Sequence, residues 1–406
     1  MFKLCFVLFV ISLSFGSSIY ISMFTPRQFF AMVMALFCLI NINKLIPYFN
    51  KLILAYCIFL IFEGLSFFLE HHFLDFLSDL ISKHFVALVA YFSSVLMMKK
   101  CENVNLLAGS LLLCGIINGG VCLLQYLGYP LALQLGVFFC DLENESIITS
   151  LNNMLEGASG AYLFGLMGHP VYNGYYMTMI TFLPIIYLNS RKKKLQKIAL
   201  LILLITLMFV LFVIQQRSCF FIVFLLMVFY FLRKSKKKNI LIFALFMLPI
   251  LMVITLSIDW STLLAGSRYI RHDIEEESRL HIYIGSVYFL LSNFLTGGYY
   301  SFIADVGNAP HNIIINAFVY GGVFGAIAIL YVYFKQLKIS YELFQNCDNE
   351  ISAISLSFVA FSLNALLHNN SIVTGDAFVW LLWGFLMYSY SKCAVTFINV
   401  EYDSKA

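Results

Sequence analysis

Residues Ile198–Leu232 read IALLILLITLMFVLFVIQQRSCFFIVFLLMVFYFL, and the only strongly polar side chains in this run belong to Gln215-Gln216-Arg217-Ser218. A straight helix of this length would extend roughly 50 Å at 1.5 Å per residue. A bilayer hydrocarbon core is only about 30 Å thick. The run is therefore too long for one span, and its polar centre marks the turn of a helical hairpin. The second arm, Ser218 to Leu232, is about 22 Å long, shorter than the core, which draws Arg217 down to the membrane boundary. An arginine there either snorkels to headgroups or meets an anion. The residues alone leave both readings open.

The rest of the chain agrees with a lipid environment. Hydrophobic residues make up 61% of the 406 positions and charged residues 11%, against about a quarter charged in soluble proteins. The mean hydropathy is +0.89. Matching apolar runs to roughly 20 residues per crossing predicts an all-α polytopic membrane protein with about twelve transmembrane helices. The spans fall near 4–22, 28–42, 52–69, 84–98, 106–127, 171–189, 197–214, 218–232, 239–258, 312–334, 351–367 and 377–391. The first run, after Lys3 and before Gly16-Ser17-Ser18, has the form of a secretory signal but reads as a first span because many more follow.

Positive charge sets the orientation. Lys44 with Lys51, Lys99-Lys100, Arg191 to Lys194, Arg233 to Lys238, and Lys335 with Lys338 lie between spans. All fall on one side if both termini are cytoplasmic. The resulting organisation is N-terminal spans over 1–127, an outer loop over 128–170, central spans over 171–258, a larger outer loop over 259–311, and C-terminal spans with a tail over 312–406. Both long loops are expected in the periplasm. The net charge of +4 is small, and no nucleic-acid partner is expected. The ten cysteines mostly lie in apolar runs without C-x-x-C spacing, so they read as small hydrophobes.

Chemistry-bearing side chains concentrate at the outer face. The second loop carries Arg268, Arg271, His272, Asp273, Glu275, Glu276, Glu277, Arg279 and His281. Most of these suit a solvated helix face, but Arg279 stands directly before the apolar stretch that starts at Leu280. Adjacent carboxylates 275–277 diverge on a helix, and no D-x-D motif accompanies them, so no metal site is expected. Further on, Pro310 ends any preceding helix and places His311 or Asn312 to cap the next. A histidine at a helix amino end tends to stay neutral, as a general base must; a plain capping role is the alternative. In Gly168-His169-Pro170-Val171-Tyr172-Asn173-Gly174-Tyr175-Tyr176, the tyrosines fit an interfacial aromatic belt or a sugar-binding face.

Taken in order, the segments between about Gly165 and Tyr333 resemble the bacterial O-antigen polymerase and O-antigen ligase families. The resemblance rests on Gln216-Arg217-Ser218, on Ser278-Arg279-Leu280-His281-Ile282-Tyr283 and on Phe294-Leu295-Thr296-Gly297-Gly298-Tyr299. It continues through Pro310-His311-Asn312 and Tyr320-Gly321-Gly322-Val323-Phe324-Gly325, with Gly168-His169-Pro170 and Asn173 as a further match. Here Gly297-Gly298-Tyr299 departs from the commoner Gly-x-Gly. The resemblance implies a metal-independent GT-C glycosyltransferase without cofactor, in the bacterial inner membrane, with its active face periplasmic. It implies that Arg217 and Arg279 bind the diphosphate of an undecaprenyl-diphosphate-linked glycan and that His311 serves as base or orients the acceptor. It also makes Arg271, Asn312, Tyr299, His169 and Asn173 candidate substrate-binding residues. Implied partners are that lipid-linked glycan, membrane lipid, a chain-length regulator and other polysaccharide-assembly proteins. Polymerase is the expected activity. Ligation of the polymer to lipid A-core is the alternative within the family, and a lipid-linked oligosaccharide flippase is the alternative outside it. A transporter would place polar residues at the midplane on broken helices.

Overall fold

The computed structural model describes residues 1–15, 24–140, 163–190, 193–214, 216–234, 278–368 and 371–403, with single positions 148 and 152. Among them the architecture is helical, with no strand. The helices are α1 (Phe2–Leu13), α2 (Pro26–Ile40), α3 (Ile42–Leu45), α4 (Lys51–Leu69), α5 (Phe73–Asp79), α6 (Phe85–Cys101), α7 (Val104–Tyr126) and α8 (Pro130–Phe139). There follow α9 (Pro170–Ile180), α10 (Pro184–Ser190), α11 (Lys194–Val213), α12 (Arg217–Lys234), α13 (Ser278–Asn293), α14 (Tyr299–Val306), α15 (Ile313–Asn346), α16 (Asn349–Asn364) and α17 (Ala377–Asp403). A π-helical turn, Leu80–His84, joins α5 to α6.

Among the described residues five helical stretches are long and apolar enough to cross a membrane: α4, the run Phe73–Cys101, α7, α11 and α15. The α2 pair with Ile42–Tyr48, bent by 87°, adds a sixth if it counts as one span. The described residues thus do not confirm the count of about twelve, and several expected spans differ locally. Helix α1 has 12 residues, and the expected span 171–189 divides at Pro184 into α9 and α10. Proline removes a backbone donor and clashes with the preceding turn. The apolar part of α12 is also short. The expected span 239–258 lies outside the described residues. The hairpin read from Ile198–Leu232 is present as α11, which ends at Val213, and α12, which starts at Arg217 and packs on it.

The chain forms two compact units. Unit 1 comprises Met1–Phe9, Arg27–Leu107 and Glu275–Ala406; unit 2 comprises Val10–Pro26 and Ala108–Ile274. In unit 1, α4 packs along α15 and α6 along α17. Small residues set the spacing. A Cβ on Gly384 would fall 2.3 Å from the Tyr91 carbonyl oxygen, and one on Gly325 would fall 3.1 Å from Phe62. Small residues allow such close approach of helices where lipid supplies no hydrophobic drive. Around these contacts Trp380, Trp383, Tyr56 and Tyr91 are fully buried. In unit 2, α9 packs on α11 and α12. A Cβ on Gly115 of α7 would meet Ile180 of α9 at 2.3 Å.

Candidate functional site

Two segments singled out in the sequence interlock in unit 1. Helix α15 is broken at Gly322, whose φ of 57° and ψ of −167° are non-helical. In an unbroken helix the Val323 N–H would donate to the Val319 carbonyl, four residues back. Here both groups turn to the α13–α14 connection instead. Val323 N–H donates to the Phe294 carbonyl at 2.9 Å, and Gly298 N–H donates to the Val319 carbonyl at 2.8 Å. One lost helix bond becomes two bonds to the inserted chain. Only glycine permits the approach: a Cβ on Gly322 would lie 2.1 Å from the Leu295 oxygen, and one on Gly297 would lie 2.6 Å from the Val319 oxygen.

Next to this junction the Glu70 carboxylate receives the amino end of α14. It accepts from Tyr300 N–H at 3.1 Å and from Ser301 N–H at 2.7 Å. An anion there satisfies free donors and opposes the helix dipole favourably. Tyr299 packs its ring 4.7 Å from Tyr320 and 6.2 Å from Phe67. Tyr300 stacks on His72 at 3.6 Å and donates its hydroxyl to Asp75 at 2.8 Å. Burial, and then the Asp75 bond, push the Tyr300 hydroxyl pKa up from its ordinary value.

At the amino end of α15 the cap is Asn312, not His311. The Asn312 Oδ1 accepts from Ile314 N–H at 2.8 Å and Ile315 N–H at 3.4 Å, and its Nδ2 donates to the Leu366 carbonyl at 2.8 Å. Ile313 N–H donates to the Ala365 carbonyl at 2.8 Å. The Asn312 amide is thus committed to hydrogen bonds within the fold. His311, one residue earlier, is partly exposed, and its ring stands 6.4 Å from His368 at 85°. His368 is buried, and burial pushes its imidazole pKa down to about 4. That ring is neutral at physiological pH. Sequence reading passed over His368, which stands just beyond the expected span 351–367.

Sequence reading also passed over a buried trio. Glu63 of α4, His84 of the π-helical turn and Tyr56 of α4 are each at most 1% exposed. His84 Nε2 lies 3.3 Å from Glu63 Oε2, and His84 Nδ1 lies 2.7 Å from Tyr56 Oη. The clue was available, because Glu63 is the one charged residue between Leu52 and Leu69. An ionisable residue within an apolar helix is by default a candidate for function.

In unit 2 the segment Leu163–His169 is held by side-chain amides. Asn118 Nδ2 donates to Asn173 Oδ1 at 2.7 Å, and Asn118 Oδ1 accepts from Leu166 N–H at 2.7 Å. Asn173 Nδ2 donates to the Leu163 carbonyl at 2.8 Å. Gln125 Oε1 accepts from Gly165 N–H at 2.9 Å, and its Nε2 donates to the Ala132 carbonyl at 3.0 Å. Asn173, one of the expected substrate-binding residues, is fully buried. His169 caps α9 by accepting from Val171 N–H at 3.1 Å, and burial lowers its pKa to about 4. Gly174 of α9 packs against Gln216, where a Cβ would come within 2.7 Å. The Gly168–Gly174 segment and the Gln216-Arg217-Ser218 turn are thereby neighbours.

Arg217 is the first residue of α12 and Arg279 the second of α13. Arg217 belongs to unit 2, whereas Arg279, Tyr299, His311 and Asn312 belong to unit 1. Arg271 and Glu275, Glu276 and Glu277 lie outside the described residues. Among the described residues no group of three or more His, Cys, Asp or Glu side chains is arranged to hold a metal. No family model matches the chain, and no curated protein matches it significantly.

Proposed function

We propose that this protein is a polytopic inner-membrane glycosyltransferase. It transfers a glycan from undecaprenyl diphosphate to a sugar hydroxyl of another lipid-linked repeat unit, at the periplasmic face. In this reading the acceptor hydroxyl attacks the anomeric carbon, His311 takes the hydroxyl proton, and the C–O bond to the lipid diphosphate breaks. The charge that develops on the leaving diphosphate is met by Arg217 and Arg279. A guanidinium fork suits phosphate oxygens and keeps its charge. Arg217 heads a helix, and its charge adds to the partial positive charge of that end, which favours an anion. Twelve spans with both termini cytoplasmic belong to the same proposal, and so do the chain-length regulator and other assembly proteins as partners.

One observation carries the reading. Asn312 performs the capping that would otherwise account for His311. Capping is therefore not the role of His311, whose ring stands beside the amino end of α15, 6.4 Å from His368, next to the turn whose Ala365 and Leu366 carbonyls hold Ile313 and Asn312. Deletion of the gene followed by glycan analysis tests it: single-repeat caps are expected. Bare cores with accumulated lipid-linked polymer would assign the ligase activity instead.

A second reading, lipid-linked oligosaccharide transport, draws on the break in α15 at Gly322 and the buried Glu63–His84–Tyr56 trio. Broken helices and interior ionisable groups are features of transporters. Repeat units trapped on the cytoplasmic side after deletion would favour it.

A further inference from the structure

Cys347 and Cys393 stand 46 positions apart in the sequence, yet their sulfur atoms lie 2.9 Å apart. Cys347 ends α15, and Cys393 lies within α17. Both are half-buried, whereas Cys114, Cys122, Cys140 and Cys219 are buried. The corner at Cys347 is fixed, because Ser352 Oγ donates to its carbonyl at 3.2 Å. Two thiols held in contact on separate helices, and open to a small reagent, are arranged for exchange chemistry and not merely for packing.

We propose that Cys347 and Cys393 form a dithiol modification site that a low-molecular-weight disulfide oxidises to an intramolecular disulfide. One thiolate attacks a sulfur of the oxidant, forming a mixed disulfide and releasing one thiolate of the reagent. The second cysteine thiolate then attacks the protein-bound sulfur, closing the Cys347–Cys393 bond and releasing the second. The protein loses two electrons and two protons, and the oxidant becomes two thiols. The closed loop contains α16 and the turn whose Ala365 and Leu366 carbonyls hold Asn312 and Ile313. The site itself is independent of the transferase reading.

The experiment treats the purified full-length protein with oxidised glutathione, digests it and maps the peptides by mass spectrometry. The expected product joins the Cys347 and Cys393 peptides, is two hydrogens lighter than the reduced pair, and disappears with dithiothreitol. The thermal midpoint should rise on oxidation and fall back on reduction, because a cross-link across a long loop restricts the unfolded chain. Cys347→Ser and Cys393→Ser should each leave the remaining cysteine as a glutathione adduct, with no rise in midpoint. Separate glutathione adducts on the two cysteines of the unsubstituted protein, or no modification of either, would overturn the proposal.

Discussion

In unit 1 the Phe294–Gly298 connection is fastened by backbone groups, and in unit 2 the Leu163–His169 segment is fastened by side-chain amides. The first fastening needs side chains to be absent. Gly297 and Gly322 let two backbones meet, so that Val319 and Val323 trade one helix bond for two loop bonds. The second needs particular side chains to be present, since Asn118, Asn173 and Gln125 supply the donors and acceptors that hold the backbone of Leu163, Gly165 and Leu166. Buried polar groups that lack partners cost about 1–3 kcal/mol each, so both devices are expected to be rigid. They should fail differently. Added bulk breaks the first, and lost polarity breaks the second.

The largest effect is expected from Gly322→Ala. The backbone conformation is one that side-chain-bearing residues avoid, and the new Cβ would press on the Leu295 oxygen. Strain of about 1–3 kcal/mol and overpacking of similar size should add. Loss of the folded fraction in fluorescence-detected size-exclusion chromatography would register this. Near-normal behaviour would mean that α15 is not broken there. Asn118→Ala should come next, at about 2–3 kcal/mol, because it strands the Leu166 N–H and half of the Asn173 amide. A thermal midpoint equal to that of the unsubstituted protein would remove the amide network from the stability of unit 2. Gly120→Ala makes the control. No atom lies within 4 Å of its Cβ position, and the midpoint should stay the same or rise slightly, since alanine favours helix over glycine.

A smaller effect separates the two devices by pH. The His169 pKa is lowered to about 4 by burial, below an unfolded value of about 6.5. The unfolded chain then binds more protons between these values, so stability rises with pH across that window and falls as pH drops from about 6.5 toward 4. His169→Asn keeps an oxygen to cap Val171 but does not titrate, so it should flatten that part of the stability profile. An unchanged profile would place the titration elsewhere.

Much of this was legible in the chain. The polar centre of Ile198–Leu232 foretold the α11–α12 hairpin, because no helix of that length fits one bilayer crossing. Pro310 and Asn312 foretold the start of α15. The segments Phe294–Tyr299 and Tyr320–Gly325 were recognisable one by one, but their interlock was not, since the pairing is made by backbone groups that carry no sequence identity. The hydrogen-bond partners of Asn173 and Asn312 were hidden for a related reason. A buried amide that satisfies the fold has the same letter as one that faces a ligand. Glu63 was visible as a lone charge in an apolar run, but its partner His84 is brought to it only by the π-helical turn. The break at Pro184 within the expected span 171–189 was likewise not read from the count of apolar letters.

Single-turnover transfer tests the role of His311 most directly. Purified protein would be mixed with undecaprenyl-diphosphate-linked repeat units in the presence of a chelator, with His311→Asn run alongside and donor binding measured for both. The account predicts elongated glycan from the unsubstituted protein, a loss of about 10²–10⁴-fold in His311→Asn, and equal donor binding. Elongation by His311→Asn at the unsubstituted rate, or no elongation by the unsubstituted protein, would contradict it.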